Sequence, residues 1–407
     1  MDLATPNLSS STETADIFAK CGRFTEAREI MRLGLYPFFR VIDSAPGPEV
    51  TIQGRKLIMI GSNNYLGLTN HPKVLEAAVA AVRKYGSGCT GSRFLNGTLD
   101  LHVELEEKLA EFVRKEAALV FSTGFQTNLG TISCLVGKSD YLIIDRGDHA
   151  SIVDGCRLSY GKTVKFIHND PADLERVLSG LTNGGGRLIV VDGVFSMEGD
   201  IAPLPEIIRL ARKHSARVMV DDAHAVGVLG EGGRGTAEHF GLEKEIDLIM
   251  GTFSKSFASI GGFIAGDEDI IHYIKHFSRE LIFSASPPPA AVATCLAALE
   301  IMKNEPERRQ RLWAITRRMH REFRQLGFNI GTTETPIIPI LIGEDLDTYR
   351  FWRMLTDEGL FTNVAVSPAV PKGHAIIRTS YTATHTDEHL DRVLEIFEQV
   401  GRKAGVI

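Results

Sequence analysis

One lysine, Lys255, stands between small hydroxylated residues and a glycine-rich run in the stretch "GTFSKSFASIGGFIAG" (251–266). A lysine amine that is removed from water loses its proton more readily, and the neutral amine can form a Schiff base with a carbonyl. Most lysines instead keep a solvated ammonium at the surface. This stretch alone favours neither interpretation, so the meaning of Lys255 depends on the residues that surround it.

Carboxylates end two further apolar stretches. "RVMVD" (217–221) ends at Asp221, with His224 three residues later, and "RLIVVD" (187–192) ends at Asp192. Such a carboxylate can belong to an ordinary turn. It can also hold the protonated pyridine nitrogen of pyridoxal 5'-phosphate (PLP), which that cofactor needs in order to withdraw electrons. One turn could aim both Asp221 and His224 at the same ligand.

Two more short motifs could take part in such a site. "STGFQTN" (122–128) contains Gly124 and is expected to open a helix, whose N-terminal amides favour an anion such as phosphate. An ordinary N-cap at Ser122 or Thr123 explains the same residues equally well. His149, in "RGDHAS", could be a loop histidine with ordinary polar partners or a flat ring stacked on a planar cofactor.

Short, apolar, β-branched runs alternate with helical patterns through the middle of the chain. This alternation predicts crossover units and a mostly parallel sheet that is buried on both faces, an α/β architecture. The predicted strands cover residues 117–121, 141–145, 164–167, 187–192, 217–221 and 247–251. Ligands of open parallel sheets bind beyond the carboxyl ends of the strands. Because the polar motifs follow four of these strands, we expect them to converge on one rim.

The rest of the chain predicts flanking units on either side of this sheet. Residues 1–13 are expected to form a loose Ser/Thr-rich tail. The other predicted elements are helices at 14–33, 72–84, 99–114 and 386–405, a long helix at 290–327, a hairpin at 49–62, and strands at 337–342 and 375–380. Three consecutive prolines, 287–289, suit neither a strand nor a helix interior and mark a boundary. We therefore predict an N-terminal arm (1–55), a large domain (56–289) that contains the strand-end motifs, and a smaller α+β C-terminal domain (290–407).

Composition excludes several classes of protein. The 407 residues carry a formal net charge of −6, with 43% hydrophobic and 24% charged residues, which is ordinary for a globular protein and argues against a nucleic-acid partner. Five scattered cysteines without a C-x-x-C pair favour a cytoplasmic protein with reduced thiols. The first residues lack the basic start and the apolar core expected of a signal peptide, and no apolar run reaches ~18 residues, so we expect at most peripheral contact with the inner membrane.

Two motifs that suggest other chemistry carry little weight. "GEGGRG" (230–235) matches a dinucleotide-binding fingerprint, but it does not lie directly between a strand and a helix of one crossover unit. His272 and His276 are four residues apart on a predicted helix and could bind a metal. No third ligand is near them in the sequence, so a solvated helix face is expected and no metal is predicted.

The signals agree on one cofactor, and from about residue 30 to its end the chain resembles the α-oxoamine synthase family of fold-type I PLP enzymes. The stretches that carry the resemblance are "SNNYLGLTNHP" (62–72), "GSGCTGSRFLNGT" (86–98), "STGFQTN", "DHAS", "VDGVFSMEGDIAPL" (191–204), "VDDAHAVGVLGEGGRG" (220–235), "TFSKSF" and "IRTSYTATHT" (377–386). Within the family, "GSRFLNGTLDLHVELE" and "TFSKSFASIGGFIAG" are most like the bacterial serine palmitoyltransferase sub-family.

The resemblance implies a role for each matching residue. Lys255 would bind PLP covalently and move the substrate α-proton, Asp221 would pair with the pyridine nitrogen, and His149 would stack on the ring. The other implied cofactor contacts are His224 at the phenolic oxygen, Thr252 and the Gly124–Phe125 backbone at the phosphate, and Ser196. The implied substrate contacts are Arg378, at the substrate carboxylate, and Asn64. Ser284 and Ser286 would reach the phosphate of a partner subunit, which implies a homodimer with shared active sites.

The activity implied by the resemblance is the PLP-dependent, decarboxylative condensation of L-serine with a long-chain acyl thioester, such as palmitoyl-CoA or an acyl-carrier protein. The product would be 3-ketodihydrosphingosine, the first intermediate of sphingolipid synthesis. Two alternatives stay open. A related synthase could use glycine or alanine, as do 2-amino-3-ketobutyrate CoA ligase and 8-amino-7-oxononanoate synthase. A non-catalytic regulatory subunit is disfavoured because Lys255, Asp221 and His149 are all present.

Overall fold

The computed structural model describes residues 16–182 and 184–407. The tail predicted at 1–13 lies outside the described residues. The strands are β1 (Glu49–Ile52), β2 (Arg55–Met59), β3 (Ala117–Phe121), β4 (Tyr141–Asp145), β5 (Lys162–Phe166), β6 (Arg187–Asp192), β7 (Arg217–Asp221), β8 (Leu248–Thr252), β9 (Gly262–Gly266), β10 (Ile337–Gly343), β11 (Leu360–Phe361), β12 (Asn363–Ala365) and β13 (Ala375–Ser380).

Helices cover the strands and connect them. They are α1 (Ala19–Arg23), α2 (Glu26–Arg32), α3 (Pro72–Tyr85), α4 (Asp100–Val113), α5 (Gly124–Leu135), α6 (Ala150–Leu158), α7 (Pro171–Ser179), α8 (Leu204–Lys213), α9 (Thr236–Phe240), α10 (Glu268–Phe277), α11 (Arg279–Ile282), α12 (Pro289–Asn304), α13 (Pro306–Leu326), α14 (Asp345–Asp357) and α15 (Asp387–Ala404).

The large sheet has seven strands in the order β3-β9-β8-β7-β6-β4-β5. β9 pairs antiparallel with β3 and β8, and the other neighbouring pairs are parallel. The prediction of a mostly parallel α/β sheet is therefore confirmed. Its central strands are buried along nearly their whole length, as continuous apolar runs require. The carboxyl ends of β3, β4, β6, β7 and β8 consequently meet at one rim.

A second sheet, in the order β10-β13-β12, belongs to the carboxyl-terminal part of the chain. One face of it, formed by Ile338, Ile340 and Ile377, joins a hydrophobic cluster with the phenylalanines of α13, α14 and α15. The opposite face carries Arg378 and is turned away from this cluster. A third small sheet, β1-β2-β11, links the predicted hairpin to the same part of the chain. The division into arm, large domain and small domain stays a prediction.

Several elements differ from the sequence-based expectation. The helix predicted at 14–33 is, over its described part, two short helices, α1 and α2. The long helix predicted at 290–327 is broken between α12 and α13, because Pro306 starts a new helix and cannot continue the previous one. The sequence prediction missed β9, β11, β12 and α14.

Candidate active site

The rim of the large sheet opens on a cavity of about 350 Å³. Its walls come from the segments that follow β3, β4, β6, β7 and β8, together with the neighbouring loops. The residues that line it include Thr123, Gly124, Phe125, Asn128, His149, Ser151, Asp192, Ser196, Asp221, His224, Thr252, Ser254 and Lys255. The structure thus brings together the polar residues that the sequence placed after four separate strands. Asp192 was expected at this rim as the end of its strand, whereas Asn128, Ser151 and Ser254 had no role assigned from the sequence.

Lys255 is the cation at the centre of this arrangement. Burial lowers the pKa of its amine to about 7, and the nearby carboxylates of Asp221 and Asp192 oppose this shift only in part. The positive charge of Arg378 lowers the pKa further. A lysine in this state carries a substantial neutral fraction at neutral pH, which is the form that attacks a carbonyl or accepts a proton.

We predict that reductive methylation of Lys255 in the cofactor-free protein has a rate that titrates with a midpoint near pH 7. The neutral amine is the reactive form, so its fraction rises as the pH rises through the lowered pKa. Mass spectrometry of the peptide that contains Lys255 measures this rate. In the denatured chain the midpoint should return to about 10.4. The same high midpoint in the folded protein would show that Lys255 is solvated.

Asp221, at the end of β7, presents a carboxylate that its neighbours hold in place. Its Oδ2 accepts a hydrogen bond from Asn128 Nδ2 at 2.7 Å, and its Oδ1 accepts one from the Ala223 amide at 2.9 Å. Asn128 also donates to Ser151 Oγ at 2.8 Å, which fixes the orientation of its amide. The residue is only 3% exposed. A fixed, buried carboxylate at a cavity wall fits the protonated nitrogen of a pyridine ring.

Asp222, the next residue, points to a different part of the structure. It accepts hydrogen bonds from the hydroxyl and the amide of Thr236, at 2.5 and 2.9 Å, and burial raises the pKa of its carboxyl to about 7. A Cβ at Gly235 would lie 2.2 Å from Asp222 Oδ2. Gly235 thus lets the end of the "GEGGRG" stretch close tightly around Asp222, and Gly230 and Gly232 allow the loop to approach Glu238 in the same way. These close approaches explain the motif without a dinucleotide.

His149 caps helix α6 at the edge of the cavity. Its backbone amide donates to Asp192 Oδ2 at 2.8 Å, and its Nδ1 accepts from the Ser151 amide at 3.2 Å. Burial lowers the pKa of the imidazole, so the ring is neutral at neutral pH. Burial, followed by repulsion from Asp221, raises the pKa of Asp192 well above its usual range. The hydrogen bonds at the backbone amide and at Nδ1 fix the position of the His149 ring, so its flat face can lie against a planar ligand.

The start of helix α5 forms a small cradle opposite Thr252. The side chain of Thr123 accepts from the Gln126 amide at 3.1 Å, and this cap leaves the first two amides of the helix, at Gly124 and Phe125, available for an anion. A Cβ at Gly124 would lie 2.6 Å from Thr252 Oγ1, so only glycine allows this approach. Thr252 and Ser254 share a hydroxyl contact of 3.0 Å at the same place. The cradle fits a phosphate group.

A second polar network links His224 to Arg378. His224 Nδ1 lies 2.7 Å from the hydroxyl of Tyr65. Burial, followed by the charges of Lys255 and Arg378, lowers the pKa of His224 well below its usual value. Arg378 donates from Nε to the Ser196 carbonyl at 2.6 Å and from Nη2 to Asn63 Oδ1 at 3.1 Å. The sequence prediction missed Asn63 and Tyr65, although both lie in the "SNNYLG" motif that it singled out.

Three predicted residues are placed differently. The amide of Asn64 is used within its own segment, since Oδ1 accepts from the Leu68 amide at 3.0 Å and Nδ2 donates to Thr69 at 2.8 Å. Ser284 Oγ accepts from Gln126 Nε2 at 3.0 Å, and Ser286 Oγ lies 3.1 Å from a ring nitrogen of His102. The roles predicted for these three residues stay predictions.

The other features singled out in the sequence add no second site. His276 Nδ1 lies 2.8 Å from the His272 carbonyl on an exposed face of α10. Among residues 16–182 and 184–407 there is no cluster of three or more potential metal ligands. Within the same residues, no helix combines the length and the apolar character needed to cross a membrane.

Comparison with known proteins gives one family. The chain matches the family described as aminotransferase class I and II over residues 55–397. It is similar to a serine palmitoyltransferase of Sphingobacterium spiritivorum, with 52% identity over 387 residues, which are 95% of this chain and 97% of the relative. It is also similar to an 8-amino-7-oxononanoate synthase of Thermoanaerobacter pseudethanolicus, with 46% identity over 93% of this chain and 96% of the relative.

A solved structure shows the same architecture with a ligand. A serine palmitoyltransferase of S. paucimobilis, in a form with bound PLP and myriocin, superposes with a TM-score of 0.94 at 39% identity. The superposition covers 97% of this chain and 100% of that chain. The cavity at Lys255 therefore lies in a fold whose relatives include a PLP-bound enzyme.

Proposed function

Because the chain belongs to the aminotransferase class I and II family and, within it, to the α-oxoamine synthases, we propose that it condenses L-serine with a long-chain acyl thioester. The product of this reaction is 3-ketodihydrosphingosine. The observation that carries the proposal is a lysine amine with a pKa of about 7 in one cavity with the buried carboxylate of Asp221. The similarity to a serine palmitoyltransferase over nearly the whole chain supports the choice of substrates.

The residues of the cavity fit PLP group by group. Asp221 would hold the proton on the pyridine nitrogen, and the neutral ring of His149 would face the cofactor ring. The helix start at Gly124 and Phe125, with Thr252, would hold the phosphate. When bound, PLP supplies an electron sink for the charge left at the α-carbon of an amino acid after its proton is removed.

Lys255 and Arg378 act on different groups of serine, the α-proton and the carboxylate. The guanidinium of Arg378 is 6% exposed and is oriented by Ser196 and Asn63, so it is ready to bind the serine carboxylate. The neutral amine of Lys255 accepts the α-proton. The α-carbon then bonds to the acyl carbon as the thiolate leaves, the serine carboxylate departs as CO₂, and a proton returns to the α-carbon.

Arg378→Ala should raise the KM for serine by about 30- to 150-fold, which corresponds to about 2–3 kcal/mol for a lost charge-assisted pair. The KM for the acyl thioester should change much less, because only serine offers a free carboxylate to this guanidinium. Initial-rate kinetics with each substrate varied in turn measure both constants. Arg324→Ala, on the exposed part of α13, is the control. Equal losses for both substrates would indicate that Arg378 has only a structural role.

The assembly that we propose is a homodimer with shared active sites. Ser284 and Ser286 follow α11 near the cofactor side of the sheet, and in the partner subunit they would approach the phosphate. Several large apolar side chains are exposed in the single chain, among them Ile260 at the cavity and also Phe94, Leu95 and Phe283. Burial of such a set against a second copy is favourable. We also propose a cytoplasmic location with peripheral contact at the inner membrane, where a long-chain product would partition.

The alternative within the family is a synthase that uses glycine or alanine. The similarity to an 8-amino-7-oxononanoate synthase supports this alternative. A regulatory subunit without activity is disfavoured, because Lys255, Asp221 and His149 are not only present but line one cavity.

The proposed substrates are tested with the purified enzyme and PLP. Serine, glycine and alanine are each combined with acyl-CoAs from acetyl to stearoyl, and the products are identified by mass spectrometry. We expect serine with palmitoyl-CoA to give the highest kcat/KM, since a site that bonds the serine hydroxyl tends to reject analogues that lack it. If alanine with pimeloyl-CoA or glycine with acetyl-CoA is the best pair, the chain is a different α-oxoamine synthase.

A further inference from the structure

A second cavity, of about 280 Å³, lies beside the sheet β10-β13-β12. Most of its wall is apolar, and the side chains that form this wall are Met197, Ile330, Pro339, Leu341, Val370 and Ile376. We call it the β10–β13 groove. None of these residues has been assigned above to the cofactor or to serine.

The β10–β13 groove starts next to the residue that would bind the serine carboxylate. Arg378 and Ile376 are two residues apart on β13 and therefore share one face of the sheet. Their partners on the antiparallel strand β10 are Pro339 and Leu341, which lie on the same face. From Arg378 to Ile376 the distance along the strand is about 7 Å, from the rise of about 3.4 Å per residue.

The groove also runs outward to solvent. His374, one of its lining residues, precedes β13 and is exposed, as is the neighbouring Pro371. At the inner end, Ser196 lines the cavity at Lys255 while the next residue, Met197, lines the groove. One segment of chain and one sheet face thus connect the cavity at Lys255 to an apolar path that ends at the surface.

We propose that the β10–β13 groove binds the acyl chain of the thioester substrate, an inference that rests on the proposed function. A long alkyl chain is stable only where its surface leaves water. The cavity at Lys255 has apolar walls as well, but its carboxylates, hydroxyls and imidazoles are the groups that we assign to the cofactor and serine, which would fill it. An alkyl chain whose carbonyl reacts beside Arg378 passes from there along Ile376 and Leu341, with its far end near His374.

Chain-length dependence is the signature of this binding mode. Each CH₂ that the groove removes from water contributes about 0.8 kcal/mol, which is about fourfold in affinity. The dissociation constant of acyl-CoAs should therefore fall steadily with chain length until the groove is filled. A polar side chain within the groove should reduce this dependence without affecting short acyl chains.

The test uses the PLP-loaded enzyme without serine, so that binding is measured and no product forms. Leu341→Gln and Met197→Gln keep nearly the original side-chain volume but add an amide, and both residues are partly exposed, which favours folding of the variants. Leu346→Gln, on the exposed side of α14, is the matched control. Calorimetry measures the dissociation constants of butyryl-CoA and of palmitoyl-CoA below its micelle concentration.

We expect each groove variant to weaken palmitoyl-CoA binding by about 4- to 16-fold, the equivalent of one to two CH₂ contacts, and to leave butyryl-CoA unchanged. Unchanged palmitoyl-CoA binding, or equal weakening of both thioesters, would overturn the groove assignment. The proposed function is judged separately, by product formation in the wild-type enzyme. If the wild type makes product and the variants bind normally, only the groove is wrong. If the variants lose chain-length dependence but the wild type makes no product from serine, only the reaction is wrong.

Discussion

Lys255→Ala should lower kcat for serine and palmitoyl-CoA by at least about 10³-fold, because in the proposed mechanism one side chain provides both the covalent attachment and the proton acceptor. The variant should still fold, since the change removes a costly buried amine and not an apolar core contact. Steady-state and single-turnover kinetics with saturating PLP measure the loss. Circular dichroism and the thermal midpoint check that the fold is intact.

Two companion variants sharpen this prediction. Lys255→Arg keeps the positive charge but cannot supply a neutral amine near pH 7, so its kcat should be as low as that of Lys255→Ala. Lys275→Ala, on the exposed face of α10, should behave like the wild type. If Lys255→Arg retained most of the activity, the role of Lys255 would be electrostatic and the proposed chemistry would need another base.

Asp221→Asn should lower kcat by about 10- to 1,000-fold while PLP still binds. An adjacent carboxylate raises the pKa of a protonated nitrogen by about 1–3 pKa units, so its loss reduces the protonated fraction at pH 7 by the corresponding factor. Asparagine keeps the shape of the side chain and one acceptor oxygen, so it can keep the hydrogen bond from the Ala223 amide but not also the one from Asn128 Nδ2. The measurement is kcat as a function of pH, and lower pH should partly restore the variant because it restores the proton.

Asp222→Asn is the matched control for this change. Asp222 is the neighbouring buried carboxylate, but its oxygens bond to Thr236 and not to the cavity. Its replacement should lower the thermal midpoint and leave kcat near the wild-type value wherever the protein is folded. If the two variants lost activity to the same extent and with the same pH profile, Asp221 would have no special role.

The sequence predicted the rim of the site because parallel strands deliver their following residues to one place. Asp192 ends β6, Asp221 ends β7 and Thr252 ends β8, and the structure brings all three into one cavity. It did not predict which of two adjacent asparagines would contact Arg378. Asn63, and not Asn64, contacts Arg378, since the direction of a side chain in a loop depends on local hydrogen bonds.

Residues that act through distant partners were also missed. Asn128 bonds to Asp221 across 93 residues of chain, and Tyr65 bonds to His224 across 159. The hydrophobic periodicity of a sequence does not predict hydrogen bonds between residues that are so far apart in the chain. The "SNNYLG" motif was a usable signal for Tyr65, but only because of the resemblance to a family.

The missed strand β9 has a different cause. Its sequence, "GFIAG", has glycine at both ends, so the glycine-rich run after Lys255 shows no clear strand pattern. Glycine is needed there because a Cβ at Gly262 would lie 2.7 Å from the Cα of Gly124, at the start of the predicted phosphate cradle. Helix α14 did carry a sequence signal, since Phe351, Trp352 and Leu355 are spaced to reach one apolar face and are all buried.

The most direct test of the account is the identity of the lysine that carries PLP. The purified, PLP-loaded protein is reduced with borohydride, digested and analysed by mass spectrometry, with an unreduced sample as the control. The account predicts that the reduced cofactor is attached to the peptide that contains Lys255 and to Lys255 within it. Attachment to another lysine, or none in a protein that shows the visible absorbance of PLP, would contradict it.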